Sequence, residues 1–164
     1  DIVPYTMAFA LAVFIIASIT DALDGHIARS RNLITNFGKF LDPLADKVLV
    51  VSALVCFVKL GLAGAVPVLI IIAREFMVSG LRLVTAGEGV VVPANIWGKL
   101  KTAFTMVAIV AILLFGVIFG SNPAAYDSWL VVTEQVLIWI SAALTVISGG
   151  VYLKAYSSYI DPTK

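Results

Sequence analysis

The chain of 164 residues is 61% hydrophobic and 13% charged, and its mean hydropathy is +1.06. These values exclude an ordinary soluble domain, which would be less apolar and more highly charged. The net charge of +1 gives no electrostatic indication of nucleic-acid binding, and we expect no nucleic-acid partner. The one cysteine, Cys56, cannot form an internal disulfide, and its apolar neighbours predict a buried, unreactive thiol.

Five apolar segments follow one another along the chain, and each is long enough to cross a membrane. They cover approximately residues 4–28, 37–60, 64–86, 97–120 and 127–154. A helix of about 20 residues spans the hydrocarbon layer, whereas barrel strands are much shorter than these segments. We therefore predict an all-α, polytopic membrane helix bundle that forms one domain over residues 1–164, with short loops joining antiparallel neighbours.

Basic residues gather at alternate ends of the predicted segments, and this pattern indicates how the chain is oriented. One side carries Arg29, Arg31, Lys39, Arg82, Lys99, Lys101, Lys154 and Lys164, and the other carries Lys59. By the positive-inside rule, the richer side is cytoplasmic. The first residue would then lie outside, so we expect a preceding helix and six spans in the complete protein.

Four aspartates stand at the facing ends of the first two segments. Asp21 and Asp24 are three residues apart and share a helix face with Gly25 and Ala28. On the next segment Gly38, Asp42 and Asp46 are spaced by four and also share one face. Because the connecting loop is short, we expect the four carboxylates to converge near the cytoplasmic end of the bundle.

Such a cluster needs compensating positive charge, since an aspartate within a membrane helix costs about 2.5–3.5 kcal/mol on insertion scales. Carboxylate oxygens favour hard ions such as Mg²⁺ or Mn²⁺, and four of them suit two ions about 3.5–4 Å apart, as in phosphoryl transfer. The alternative is that these aspartates cap helices or pair with Arg29, Lys39 and Lys47. The small residues Gly25, Ala28 and Gly38 fit either close helix packing or space for a ligand.

The spacing D-x2-D-G-x2-A-R-x8-G-x3-D-x3-D resembles the signature of the CDP-alcohol phosphatidyltransferase family at every fixed position. The matching residues are Asp21, Asp24, Gly25, Ala28, Arg29, Gly38, Asp42 and Asp46. The resemblance implies a six-helix enzyme of the bacterial plasma membrane, with its active site toward the cytoplasm. It also implies transfer of a phosphatidyl group from a CDP-linked lipid to an alcohol, release of CMP, and a homodimer.

The resemblance assigns roles to these residues. Asp21, Asp24 and Asp42 would be metal ligands, and Asp46 would be the base and a further ligand. The signature residues that would contact the CDP-linked lipid are Asp24, Gly25, Ala28, Arg29 and Gly38. Thr35, which lies outside the signature, is a further candidate for this contact. Two of these keep a second interpretation, because Arg29 also fits a membrane-interface anchor and Thr35 also fits a helix N-cap.

Further charges lie in the third and fourth segments, in REFMVSGLR at 74–82 and GKLKT at 98–102. Arg74 and Arg82 are about 80° apart around a helix, so one broad face can carry both, whereas Lys99 and Lys101 are about 200° apart. We expect Glu75 to pair with a lysine or an arginine. The two stretches resemble the branch of the family that uses glycerol 3-phosphate, which makes Arg74, Arg82, Lys99 and Lys101 the predicted ligands of the acceptor phosphate.

Three alternatives remain open at this level. The acceptor could instead be inositol phosphate, serine or phosphatidylglycerol. An intramembrane prenyltransferase also binds Mg²⁺ and pyrophosphate through aspartates, but its acidic motifs lie on well-separated helices. A divalent-cation transporter would place its carboxylates near the middle of the bilayer on broken helices, not at helix ends.

Overall fold

A computed structural model describes residues 3–30, 36–87, 95–120 and 128–156 of the chain. Five helices account for nearly all of these residues: α1 (Val3–Ser30), α2 (Asn36–Lys59), α3 (Ala65–Gly87), α4 (Ile96–Phe119) and α5 (Ser128–Tyr156). The all-α prediction is confirmed, and each predicted segment agrees with a helix to within two residues at either end. The part of the chain that the structure describes contains no strand.

The outer surfaces of the helices are apolar, as expected for contact with lipid. By length and composition alone, two helical stretches in the described ranges qualify as membrane spans, namely Ile96–Phe119 and Trp129–Tyr156. Large apolar side chains are nevertheless exposed on all five helices, such as Phe9, Val48, Leu69, Val107 and Trp139. A water-soluble protein rarely exposes so much apolar surface, and the chain is therefore a membrane protein.

The expectation of a buried cysteine is wrong, because the thiol of Cys56 is exposed. Its neighbours on α2 explain the difference: Leu54 and Phe57 point into the core, whereas Val55 lies on the same outer face as Cys56. An apolar neighbourhood in a membrane chain therefore does not distinguish the protein interior from the lipid-facing surface.

The contacts divide the chain into two compact units, of which the first comprises residues 1–62 and 109–132. Within it α1 packs against α2. Its core includes Phe14 of α1, Leu54 and Phe57 of α2, and Ile112 of α4. Gly116 permits a close approach, because a β-carbon there would lie 3.0 Å from Cγ of Met7.

A Schellman motif ends α2. Gly61 has a φ of 76°, the left-handed conformation that glycine adopts without strain. The N–H of Gly61 donates to the carbonyl of Val58 (3.1 Å), and the N–H of Leu62 donates to that of Phe57 (2.9 Å). These bonds satisfy the last carbonyls of the helix and make the tight turn that precedes α3.

The second unit comprises residues 63–108 and 133–164. It contains α3, the first half of α4 and most of α5. Its core includes Ile71, Val78, Ala108 and Ile138. At the start of α3 the side-chain Oε1 of Gln135 accepts the N–H of Gly64 at 2.9 Å, which satisfies a backbone donor that the helix itself cannot satisfy.

Candidate active site

The first unit carries the four aspartates of the sequence motif. Asp21 and Asp24 lie one turn apart near the end of α1, and both side chains are exposed. Asp42 and Asp46 lie one turn apart in the first half of α2, which packs against α1. The helical spacings on which the prediction of two carboxylate pairs depends are therefore confirmed.

The convergence of the four carboxylates stays a prediction. The structure describes only the helical backbone at Gly25, Ala28, Arg29, Gly38, Asp42 and Asp46, and Thr35 lies wholly outside the described residues. Among the described side chains, no three carboxylate, histidine or cysteine groups form a metal site. The donor chemistry nevertheless fits Mg²⁺ or Mn²⁺, because both described members of the motif offer exposed carboxylate oxygens on adjacent turns.

A polar cluster occupies the second unit, where α3, α4 and α5 contribute charged and hydroxyl side chains. We use this name for the set Arg74, Glu75, Arg82, Lys101, Ser148 and Tyr152. The carboxylate of Glu75 accepts a hydrogen bond from Nη1 of Arg74 at 3.1 Å and another from Nζ of Lys101. The prediction that Glu75 forms an ion pair is confirmed, and it pairs with both cations at once.

Arg74 is buried, with 8% of its surface exposed. In addition to its ion pair, its Nη2 donates to Oγ of Ser148 at 2.6 Å, and its Cζ lies 5.5 Å from the centroid of the Tyr152 ring. Gly149 makes room for this side chain, since a β-carbon there would lie 3.1 Å from Cγ of Arg74. Arg74 is thus held by α5 and by Glu75 together.

The four cations predicted to bind an acceptor phosphate fall into two groups. Arg74 and Lys101 are buried and paired with Glu75, whereas Arg82 and Lys99 are exposed. The different burial of the two lysines agrees with their expected separation around α4. Within the described residues, Arg82 has no carboxylate partner, and its Nη2 donates to the hydroxyl of Tyr152 at 3.1 Å. Arg82 is therefore the cation of the polar cluster that is accessible to a ligand.

Ser148 and Tyr152, the residues of α5 that contact Arg74 and Arg82, were not identified from the sequence. Five buried polar residues of α5 recur at spacings of three, four and seven, namely Glu134, Ser141, Thr145, Ser148 and Tyr152. A polar stripe on an otherwise apolar span indicates the face that points into a membrane protein. This spacing is the signal that could have identified Ser148 and Tyr152 beforehand.

Comparisons with known proteins agree with the motif. A sequence profile of the CDP-alcohol phosphatidyltransferase family matches residues 2–147. Three relatives share the name CDP-diacylglycerol–glycerol-3-phosphate 3-phosphatidyltransferase. The protein from Bacillus subtilis is 47% identical over 92% of this chain and 74% of its own length. The Rickettsia bellii protein is 42% identical over 95% of this chain and 83% of its own length. The Haemophilus influenzae protein is 37% identical over 91% of this chain and 78% of its own length.

Both the profile and these relatives cover most of the chain, including the aspartate motif and the charged stretches of α3 and α4. The motif, the all-α membrane fold and the similarity therefore identify the same group of enzymes. The chain belongs to the CDP-alcohol phosphatidyltransferase family.

Proposed function

We propose that this enzyme transfers the phosphatidyl group of CDP-diacylglycerol to sn-glycerol 3-phosphate and releases phosphatidylglycerophosphate and CMP. The names of the relatives, which contain both substrates, support this reaction. The observation that carries the choice of acceptor is the exposed side chain of Arg82 in the polar cluster. Arginine is well suited to phosphate because its planar fork can form two parallel hydrogen bonds.

The charges of the polar cluster favour an acceptor that carries a phosphate. Glu75 pairs with both Arg74 and Lys101, and among the described residues Arg82 has no carboxylate partner, so the described members of the cluster carry an excess of positive charge within helices that lie in a membrane. An excess of this kind is costly unless an anion compensates it. The phosphate of glycerol 3-phosphate would supply that anion, whereas serine brings no phosphate.

The aspartate motif would bind the pyrophosphate of the CDP-linked lipid through divalent metal ions. In this proposal Asp21, Asp24 and Asp42 hold two Mg²⁺ or Mn²⁺ ions, with Asp46 as a further ligand. Bound divalent ions would neutralise the pyrophosphate and the phosphate of the departing CMP. The acceptor hydroxyl oxygen attacks the phosphorus that bears diacylglycerol, its proton passes to Asp46, and the bond between this phosphorus and the CMP oxygen breaks.

The remaining proposals concern the contacts with the CDP-linked lipid, the membrane location of the enzyme and its oligomeric state. Gly25, Ala28 and Gly38 would leave space for the nucleotide, while Arg29 and Thr35 would contact its polar groups. The positive-inside pattern supports a reaction on the cytoplasmic side of the membrane. The bacterial origin of the relatives supports a location in the bacterial plasma membrane. We also propose a homodimer, in line with the family resemblance.

The test is release of CMP by the purified enzyme from CDP-diacylglycerol with Mg²⁺ or Mn²⁺. Glycerol 3-phosphate, inositol phosphate, serine and phosphatidylglycerol are offered separately, and wild type is compared with Asp46→Asn and Arg82→Ala. We expect metal-dependent release with glycerol 3-phosphate alone, loss of turnover in Asp46→Asn, and a raised KM for the acceptor in Arg82→Ala. Turnover with another acceptor would overturn the acceptor assignment, and no metal-dependent release with any acceptor would overturn the reaction itself.

A further inference from the structure

Tyr152 connects Arg82, the accessible arginine of the polar cluster, to the backbone just before α4. Its side chain is 3% exposed, and its hydroxyl oxygen accepts the backbone N–H of Asn95 at 2.8 Å and Nη2 of Arg82 at 3.1 Å. The Cζ atoms of Arg74 and Arg82 each lie 5.5 Å from the centroid of its ring. One residue of α5 thus contacts α3 twice and the start of α4 once.

We propose that Tyr152 is a positioning residue that holds the guanidinium of Arg82 ready for the acceptor phosphate. This inference rests on the proposed function, because it assigns a role to a neighbour of the acceptor site. An exposed arginine has many rotamers, and ordering it when a ligand binds costs entropy. A contact that already orders the side chain in the free enzyme reduces this cost and strengthens binding.

The hydroxyl of Tyr152 is itself held in place. Asn95 immediately precedes α4, and its Oδ1 in turn accepts the N–H of Trp97 at 3.4 Å. Gly98, one turn further, lies so close that a β-carbon would be 3.4 Å from the Tyr152 hydroxyl oxygen. The hydroxyl therefore offers Arg82 an acceptor whose location is set by the backbone immediately before α4.

The same arrangement leaves Arg82 able to bind a ligand. A guanidinium has five N–H donors, and the hydrogen bond to Tyr152 uses one on Nη2. Within the described residues, the Arg82 side chain makes no other hydrogen bond. Arg74 differs in this respect, because it is buried and donates to Glu75 and Ser148. Tyr152 thus orients Arg82 without occupying all of its donors.

The variant that tests this role is Tyr152→Phe, which keeps the ring and removes the hydroxyl. We expect the KM for glycerol 3-phosphate to rise about tenfold, as for loss of one hydrogen bond to a charged group. The kcat and the KM for CDP-diacylglycerol should change by less than about threefold, since neither depends on the orientation of Arg82 before the acceptor binds. Tyr5→Phe, at a position on α1 that is 77% exposed, is the matched control.

A double-mutant cycle separates positioning from general stabilisation. In the Arg82→Ala background, Tyr152→Phe should have less than about a twofold further effect on the KM, because the residue that it positions is absent. Tyr152→His, which keeps an aromatic ring with a hydrogen-bond acceptor, is the second variant and should restore part of the affinity. An unchanged KM in Tyr152→Phe, or effects that multiply fully with Arg82→Ala, would overturn the inference.

The experiment distinguishes a failure of the proposed function from a failure of the positioning role of Tyr152 alone. If wild type does not turn over glycerol 3-phosphate and is not protected by it against thermal unfolding, the acceptor assignment fails, and the role of Tyr152 fails with it. If wild type does turn it over while Tyr152→Phe behaves like Tyr5→Phe, the reaction stands and only the positioning role is overturned.

Discussion

Gly149 of α5 lies against the side chain of Arg74 of α3. A β-carbon at Gly149 would be 3.1 Å from Cγ of Arg74 and 3.4 Å from Cε of Met77, whereas one at the adjacent Gly150 would meet no heavy atom within 4 Å. The two glycines are therefore not equivalent, although they are neighbours in the sequence. The close approach at Gly149 is what allows Arg74 to reach Ser148.

Replacement of Gly149 by alanine should disturb the polar cluster. The new methyl group would push Arg74 away from Ser148, and overpacking of this kind costs about 1–3 kcal/mol. We expect a lower thermal unfolding temperature in detergent and a severalfold higher KM for glycerol 3-phosphate. Gly150→Ala is the matched control and should be neutral or slightly stabilising. Equal behaviour of the two variants would contradict the importance of this close approach.

Glu75 should be essential for stability because it compensates two buried cations. Removing one partner of a buried ion pair typically costs about 3–5 kcal/mol, since the remaining charge loses its compensation. We expect Glu75→Gln to lower the thermal unfolding temperature clearly. The measurement is the unfolding transition of the purified protein in detergent, with wild type in parallel.

A second substitution tests whether the effect comes from the uncompensated charge. Lys101→Met in the Glu75→Gln background removes one of the two cations that the carboxylate neutralises. The double variant should therefore be more stable than Glu75→Gln alone. A double variant that loses the sum of the two single effects would show that Glu75 and Lys101 act independently.

The extent of the helices and the ion pair of Glu75 could both be predicted from the sequence. Apolar runs bounded by polar loops define membrane helices to within a turn, and a glutamate beside an arginine in such a run needs a cation nearby. The contact between Tyr152 and Arg82 could not be predicted, because 70 positions separate them and the packing of α3 against α5 decides it. A tyrosine near the end of a span also fits an interface anchor equally well.

The different burial of Arg74 and Arg82 could not be predicted from the sequence either. Arg74 and Arg82 lie on one helix and carry the same charge, yet the first is buried and the second is exposed. The difference arises because Arg74 donates a hydrogen bond to Ser148 and packs against Gly149, both on α5. The residues next to the arginines in the sequence do not indicate either contact. Cys56 illustrates the same limit, since an apolar setting predicted burial and the thiol is exposed.

Gly61 should be sensitive to substitution because of its backbone conformation. Its φ of 76° costs an L-amino acid about 1–2 kcal/mol, although nothing lies within 4 Å of where a β-carbon would be. Gly61→Ala should therefore destabilise the protein by about that amount in thermal unfolding. Gly80→Ala, also in open space but inside α3, should instead be neutral or stabilising. A neutral Gly61→Ala would argue against the Schellman motif.

Asp24→Asn should remove the response of the protein to divalent ions. A ligand that binds the folded state at about 100 times its Kd adds about 2.7 kcal/mol to stability, so Mn²⁺ should raise the unfolding temperature of wild type. An amide is neutral and ligates hard cations less well than a carboxylate, and we expect Asp24→Asn to show little of this rise and to lose CMP release. Asp161→Asn, which removes an acid outside the motif, is the control and should respond as wild type does. Equal stabilisation of Asp24→Asn and wild type by Mn²⁺ would exclude Asp24 as a metal ligand, even if the variant were inactive.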